Sequence, residues 1–584
     1  MLAHDAVHGG TACPVEPALS NLPNLSNLSN LETEPRHHEH DIDTNQAGVK
    51  MPPNHDVRIQ FVTFLEKKGS RGYPLGILSI SAFLKASGYK NVAYMEFDLF
   101  SRVKGKKLLR CKDALPFTRG VEDERITWLA AHPPAVLFIG PVFTYNLRYF
   151  VEFSRSMKQM FPGIVIFGGG PHFGKMLDSD RELLARNPHV SGLVIGDGEE
   201  TAVGLLDAIS GILPANAASG LSDDGAIASL AGSIPGVLMA RNAYSMRTPF
   251  DIEHTSLLPD YQLLETNPFS FGYTLTRRKN PLSSRKGHFF YEKGRQMMPF
   301  AYINGSRGCL YPCIFCAGAS NVGDPRDARD PRDPRDPRVS KRGAKVSRRV
   351  RTPEDILSEI REVHRARGTT LFFFTDPLFL APTKSDIDRV DALFTSISRE
   401  SRASGVPYRF ILELRIDVVN RISDALLAKM MRAGVREINL GFEKATNSSL
   451  RIYGKHFTTD DQKAAIAKIR RVAKLVGVHV LVVGTFVLGG PSEGYLETFK
   501  TFVYPVKLGL DTFRLFPLEI FPGTAIEHYL ARSGKISPCL DTFYERVLGF
   551  LRRLGDIVAV INYFIRSILG ARVPRPELNR RITT

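Results

Sequence analysis

Cysteine is scarce, with 6 in 584 residues. So few cannot make a disulfide framework. Cys309, Cys313 and Cys316 fall close together, while Cys13, Cys111 and Cys539 are scattered. That pattern predicts a reducing, cytoplasmic setting and a metal site. No apolar run reaches the ~18 residues of a membrane helix. The nearest candidate, 556–570, is interrupted by Arg566. The N-terminus has no basic region followed by an apolar core, so no secretory signal is read. The net charge is +17, but unevenly placed. Residues 1–50 carry Arg36 and Lys50 against an acidic excess, whereas 338–351 is dense in Arg and Lys. No basic groove is interleaved with aromatics, which argues against nucleic acid as a partner.

What is present is a long alternation of strand and helix patterns. Residues 1–55 are polar and repetitive (NLPNLSNLSNL) and predict a disordered tail, its His37, His38 and His40 solvated. From 56 to 210, apolar runs at 57–65, 91–98, 134–140, 164–171 and 192–200 alternate with helical patterns at 76–88, 148–162 and 201–211. Such alternation predicts a parallel, doubly wound Rossmann-like sheet. Residues 211–295 read as a connector. A second strand–helix series fills 296–530, with strands at 370–376, 409–415, 437–443, 479–490 and 512–521. Six or so such units predict a partial or full β/α (TIM-like) barrel with its site at the strand ends. Within it, DPRDARDPRDPRDPR (324–338) blocks helix and sheet alike, so 324–348 predicts an exposed basic insertion. Residues 531–584 read as a C-terminal helical region, amphipathic over 541–570.

The chemistry concentrates in NGSRGCLYPCIFCAG (304–318). The spacing is Cys309-x3-Cys313-x2-Cys316. Thiolates hold iron–sulfur clusters, normally four of them. Three without a nearby fourth leave one iron open to a small chelating molecule. Structural zinc wants a closed set of four ligands, and no Cys or His follows within forty residues. In the first series, three glycine-bearing stretches fall at strand ends: YPLG (73–76), FGGGPH (167–172) and IGDGEE (195–200). Glycine lets backbone approach a large flat ligand. No G-x-G-x-x-G follows the first strand, which removes the dinucleotide fingerprint.

The cysteine loop, with Phe315 before its last cysteine, resembles the radical S-adenosylmethionine (SAM) superfamily. Further segments resemble the same family. LFFFTDPLFL (371–380) carries Asp376, ELRID (413–417) carries Glu413 and Arg415, GFE (441–443) ends on Glu443, and VLGGPSE (487–493) holds Gly489. FPGT (521–524) also recurs in its cobalamin-associated branch. The glycine turns and DIEHTSLLPDY (251–261) resemble that branch's cobalamin-binding domain and connector. The histidine motif Asp-x-His-x-x-Gly of other cobalamin domains is missing. EFDLFSRVKG (96–105) has no histidine, and His172 reads as a turn cap.

The resemblance implies a [4Fe–4S] cluster on Cys309, Cys313 and Cys316. It implies SAM at Phe315, Asp376, Glu413, Arg415, Glu443 and Gly489. It implies cobalamin at Leu75, Gly76, Gly140, Gly168, Gly169, Gly170, Pro171, Gly196, Gly198 and Glu199. The implied activity is that of a C-methyltransferase. A 5′-deoxyadenosyl radical from SAM takes hydrogen from an unactivated carbon of a small molecule, and methylcobalamin supplies the methyl. A flavodoxin- or ferredoxin-type donor would supply the electron. The alternatives are a cobalamin-associated radical cyclase and a non-catalytic iron–sulfur or corrinoid sensor.

Overall fold

The computed structural model describes residues 52–65, 74–98, 124–266, 291–316, 348–490 and 495–532, apart from short internal breaks. The polar N-terminal repeat, the 324–338 stretch and the helix expected over 541–570 lie outside the described residues, as do Tyr73 and most of 96–105.

The first sheet comprises β1 (Ile59–Leu65), β2 (Val92–Asp98), β3 (Val136–Ile139), β4 (Val165–Gly169), β5 (Gly192–Val194) and β6 (Val237–Leu238). Its order is β2-β1-β3-β4-β5-β6. The first five strands run parallel, and β6 closes the edge antiparallel to β5. The sheet therefore reaches into the stretch read as a connector, together with α6 below. Helices α1 (Leu75–Ala86), α2 (Glu124–Ala131), α3 (Leu147–Met160), α4 (Leu177–Arg186), α5 (Glu199–Ile209) and α6 (Asp224–Gly232) link the strands. Strand residues alternate between two cores: Ile59 and Phe61 of β1 join one, Val62 and Phe64 the other. That is the period-2 pleat of a sheet covered on both faces. The chain leaves β1 for β2 on one side and returns to β3 on the other. The strand order thus reverses beside β1, which opens a crevice at the strand ends.

After the short pair β7 (Tyr291–Glu292) and β8 (Gln296–Met297), the chain enters β9 (Phe300–Ile303). A small clip follows, β10 (Ser306–Arg307) antiparallel to β11 (Arg349–Val350). It closes the long excursion that contains the cysteines. Then come β12 (Leu371–Phe374), β13 (Arg409–Leu414), β14 (Val435–Glu443), β15 (Leu481–Leu488) and β16 (Thr512–Pro517). The order β16-β15-β14-β13-β12-β9 is all parallel, an open six-stranded partial barrel.

Helices cover its outside: α7 (Pro353–Arg367), α8 (Lys384–Ser404), α9 (Ile416–Arg421), α10 (Asp424–Arg432), α11 (Asn447–Ile452), α12 (Thr459–Leu475), α13 (Tyr495–Lys507) and α14 (Ala525–Arg532). Local chemistry sets their ends. Thr352 Oγ1 accepts from Asp355 N at 3.1 Å, Pro353 opens α7, and Gly368 ends it at φ 64°. Outward residues such as Phe372, Phe374, Phe410 and Leu412 share one core with the first sheet. Inward residues Leu371, Phe373 and Ile411 meet Phe300 and Tyr302. On that inward parity the next residue of β13 is Glu413.

Candidate active site at the facing strand ends

The cysteine loop leaves β9 through a turn that is fastened from below. Asp376, just past β12, accepts from Gly305 N at 3.0 Å and from Ser306 Oγ at 2.5 Å. Ser306 Oγ also reaches Leu378 O at 2.9 Å. Asp376 is buried, and burial lifts its carboxyl above the usual range, opposed by those two donors. Its side chain therefore holds the start of the cysteine loop. Ile526 N of α14 donates to Ile314 O at 3.0 Å and ties down the other side.

The three cysteines are free thiols, Cys313 buried and the other two partly so. Burial pushes the Cys309 thiol up, and Cys313 and Cys316 add to it through space. Among the described residues, no three His, Cys, Asp or Glu side chains are grouped to hold a single metal ion. Cations surround the loop. Arg415 Nη1 lies 3.7 Å from Cys313 Sγ, its guanidinium stacks 3.3 Å over the Tyr311 ring, and Asp417 holds it at 2.9 Å. Lys455 Nζ lies 5.3 Å over Phe315 and 3.0 Å from Glu443 Oε1. Burial alone would push Lys455 down, but Glu443 and Cys313 hold it above its ordinary value. Three soft thiols with nearby positive charge suit an anionic iron–sulfur group.

Across the rim, Phe315 packs 5.1 Å from Tyr453. Tyr453 Oη and Lys444 Nζ both reach Gly489 O at 2.6 Å. Gly490 sits at φ 143°, where a Cβ would meet Tyr453 Oη at 2.1 Å, so only glycine fits this approach. Glu443 has φ 63° at a register shift in β14. A left-handed non-glycine residue costs about 1–2 kcal/mol, and such strain gathers at functional sites. Glu413 faces the barrel interior, reachable by solvent yet walled by protein. Burial lifts its carboxyl to about 7, against Arg514 and with Asp376, Glu437 and Glu443 adding. The structure thus brings Phe315, Arg415, Glu443 and Gly489 to the cysteine loop. Glu413 lies deeper, and Asp376 lies beneath the loop.

The first sheet contributes a cavity of about 410 Å³ at its strand ends. Every glycine expected there lines it, as do Leu75 and Glu199, whereas Pro171 does not. His172 is not a lining residue either, and its ring meets Phe173 edge-on at 5.2 Å. Gly170, at φ 139°, would place a Cβ 2.3 Å from Val142 N. Gly76 and Gly196 are different: a Cβ there would meet nothing within 4 Å. Absent side chains leave a smooth wall, which suits a broad flat ligand. The opposite wall comes from the barrel side, through Asn304, Arg307, Arg351 and Glu359. Tyr261 Oη donates to Glu359 Oε1 at 2.5 Å, and Arg351 pairs with the same carboxylate. The cavity therefore opens between the sheet ends and the turn that leads to the cysteines.

Residues 303–502 match the model of the radical SAM superfamily. The chain carries a radical SAM domain. It is 25% identical over 232 residues to the uncharacterized methyltransferase PH0819 of Pyrococcus horikoshii, covering 40% of this chain and 42% of that protein. It is 22% identical over 403 residues to the anaerobic magnesium-protoporphyrin IX monomethyl ester cyclase of Synechocystis sp., covering 68% of this chain and 62% of that one. The matches thus span less than two thirds of either relative. In fold, the radical SAM domain with its preceding sheet is similar to TsrM of Kitasatospora setae. That structure is a radical S-adenosylmethionine methyltransferase solved with cobalamin and a [4Fe–4S] cluster. The TM-score is 0.52 at 15% identity, over 82% of this chain and 75% of that one.

Sequence reading missed Arg307, Asp197, Tyr311, Lys444, Tyr453 and Lys455. Arg307 and Tyr311 stand in or beside the cysteine motif and were legible in principle. Lys455 lies beyond α11, and only the fold carries it to Phe315.

Proposed function

We propose that this chain is a cobalamin-dependent radical SAM C-methyltransferase acting on an unactivated carbon of a small molecule. The observation that carries the reading is the juxtaposition of two seats. A three-cysteine loop and a glycine-walled cavity share the segment Asn304–Arg307. When bound, the cluster supplies the electron that splits SAM and the corrinoid supplies the methyl group.

The chain's own residues bind and orient. Cys309, Cys313 and Cys316 hold the cluster, and Arg415 donates toward Cys313. Phe315, Glu443 and Gly489 form the SAM face, with Glu413 behind them and Asp376 fixing the loop on which SAM rests. Leu75, Gly76, Gly140, Gly168, Gly169, Gly170, Gly196, Gly198 and Glu199 hold the corrinoid, with Pro171 at the turn behind. We assign residues 56–210, extended through α6 and β6 to 238, to the cobalamin domain, the remainder up to 295 to the connector and 296–530 to the barrel. The tail is 1–55 and the C-terminal region 531–584. A flavodoxin- or ferredoxin-type donor supplies the electron, and the setting is cytoplasmic. Among the described residues, no helix is long and apolar enough to cross a membrane.

A cyclase is the second reading, favoured by the longer of the two sequence matches. Counting SAM products separates the two. Methylation yields S-adenosylhomocysteine together with 5′-deoxyadenosine, and cyclisation yields only the latter. Reduced, reconstituted protein that leaves SAM intact would remove both readings and favour a sensor.

A further inference from the structure

We infer that Arg307 is a positioning residue that couples occupancy of the glycine-walled cavity to the geometry of the cysteine loop. The inference rests on the cofactor reading above.

Arg307 stands two residues before Cys309 and lines the cavity. Among the described residues its guanidinium bonds only across to the first sheet's side. Nη1 meets Asp197 Oδ1 at 3.1 Å and Nη2 meets Glu199 Oε1 at 2.5 Å. Asp197 lies in the glycine turn after β5 and Glu199 opens α5 directly behind it, only 2% exposed. In the β10–β11 clip, Arg307 lies directly opposite Arg349. Like charges so placed repel. Asp197 offsets this by taking Arg349 Nη1 on its other oxygen at 2.5 Å. Phe250 completes the joint: its N–H donates to Asp197 at 3.0 Å, and its ring lies 5.7 Å from the Arg307 guanidinium. Burial would lift the Asp197 carboxyl, yet Arg307 and Arg349 hold it below the usual range.

The consequence is mechanical. Gly196, Gly198 and Glu199 line the cavity, and the same turn anchors the arginine that leads into the cysteines. A broad ligand settling on that turn fixes the anchor, and an ordered cysteine loop in return fixes the turn. Such coupling is reciprocal.

The test titrates hydroxocobalamin into the full chain anaerobically, followed by its visible spectrum. Cluster-reconstituted and iron-free protein are compared. Wild type is expected to bind roughly fivefold or more tightly with the cluster in place, the lower end of common coupling factors. Arg307→Gln should bring the two affinities within about twofold, and Arg307→Lys, which keeps charge but loses the planar fork, should fall between. Equal affinities in wild type, or undiminished coupling in a folded Arg307→Gln protein, overturn the inference. The wild-type comparison decides even if the variants fail to fold. Absence of hydroxocobalamin binding in either form overturns the cofactor reading along with it.

Discussion

Arg415 Nη1 lies 3.7 Å from Cys313 Sγ while the same guanidinium stacks at 3.3 Å on Tyr311. Sequence reading gave this arginine to SAM, and the fold also places it against Cys313, one of the three proposed cluster ligands. Hydrogen bonds and nearby charge set iron–sulfur potentials.

Removing that donor should favour the oxidised cluster. Arg415→Met is therefore expected to lower the midpoint potential. The shift is the difference in that bond's strength between the two redox states, so the about 1.5–3 kcal/mol of a hydrogen bond to a charged group sets an upper bound on the order of 60–130 mV for one electron. Redox titration followed by electron paramagnetic resonance reads this without any turnover. An unchanged potential would show that the arginine does not touch the cluster.

The cavity wall offers a second, cleaner test. Gly76 lies in α1, and a side chain there would enter open space. Gly76→Leu should leave thermal stability unchanged or raised, since leucine is the better helix former by about 0.8 kcal/mol. Its bulk should weaken cobalamin binding by tenfold or more, at least about 1.4 kcal/mol. Undiminished corrinoid binding in the folded variant would move the ligand elsewhere.

Glu413 predicts a pH dependence. The protein around it pushes the native carboxyl up to about 7, from an ordinary 4.5. Between these values the native state holds a proton that the unfolded chain has lost. Stability therefore falls as pH rises through this window, and the penalty is fully present above about 7. Glu413→Gln removes the penalty. The cofactor-free variant should gain more in Tm over wild type near pH 7.5 than near pH 5. Equal gains at both would mean that the protein walls around this carboxyl do not shift it as described.

Much of the architecture was legible because parallel strands buried on both faces read as apolar runs. Ile59–Leu65 and Leu371–Phe374 are plain examples. Thr352 ahead of Pro353 and Glu354 reads as a helix start from local chemistry alone, and α7 is capped there. β6 escaped notice because two residues carry no period, and only pairing with β5 makes them a strand. At the site, the residues that the sequence pointed to lie inside motifs, whereas those that only topology delivers, such as Lys455, went unnamed. Asp197 and Arg307 are far apart in the chain, and neither has meaning without the other. Asp376 is a different case: its motif position suggested a SAM-facing side chain, and in the structure its carboxylate accepts from Gly305 N and Ser306 Oγ.

The central claim is that Cys309, Cys313 and Cys316 seat a [4Fe–4S] cluster that opens SAM. The most direct measurement is anaerobic reconstitution of wild type and of the triple Cys→Ala variant. Iron per chain, the reduced-state paramagnetic signal and 5′-deoxyadenosine formed from SAM are read side by side. The account predicts about four irons per chain, a cluster signal and SAM cleavage in wild type, and loss of all three in the variant. A variant that keeps its iron or still releases 5′-deoxyadenosine would contradict it.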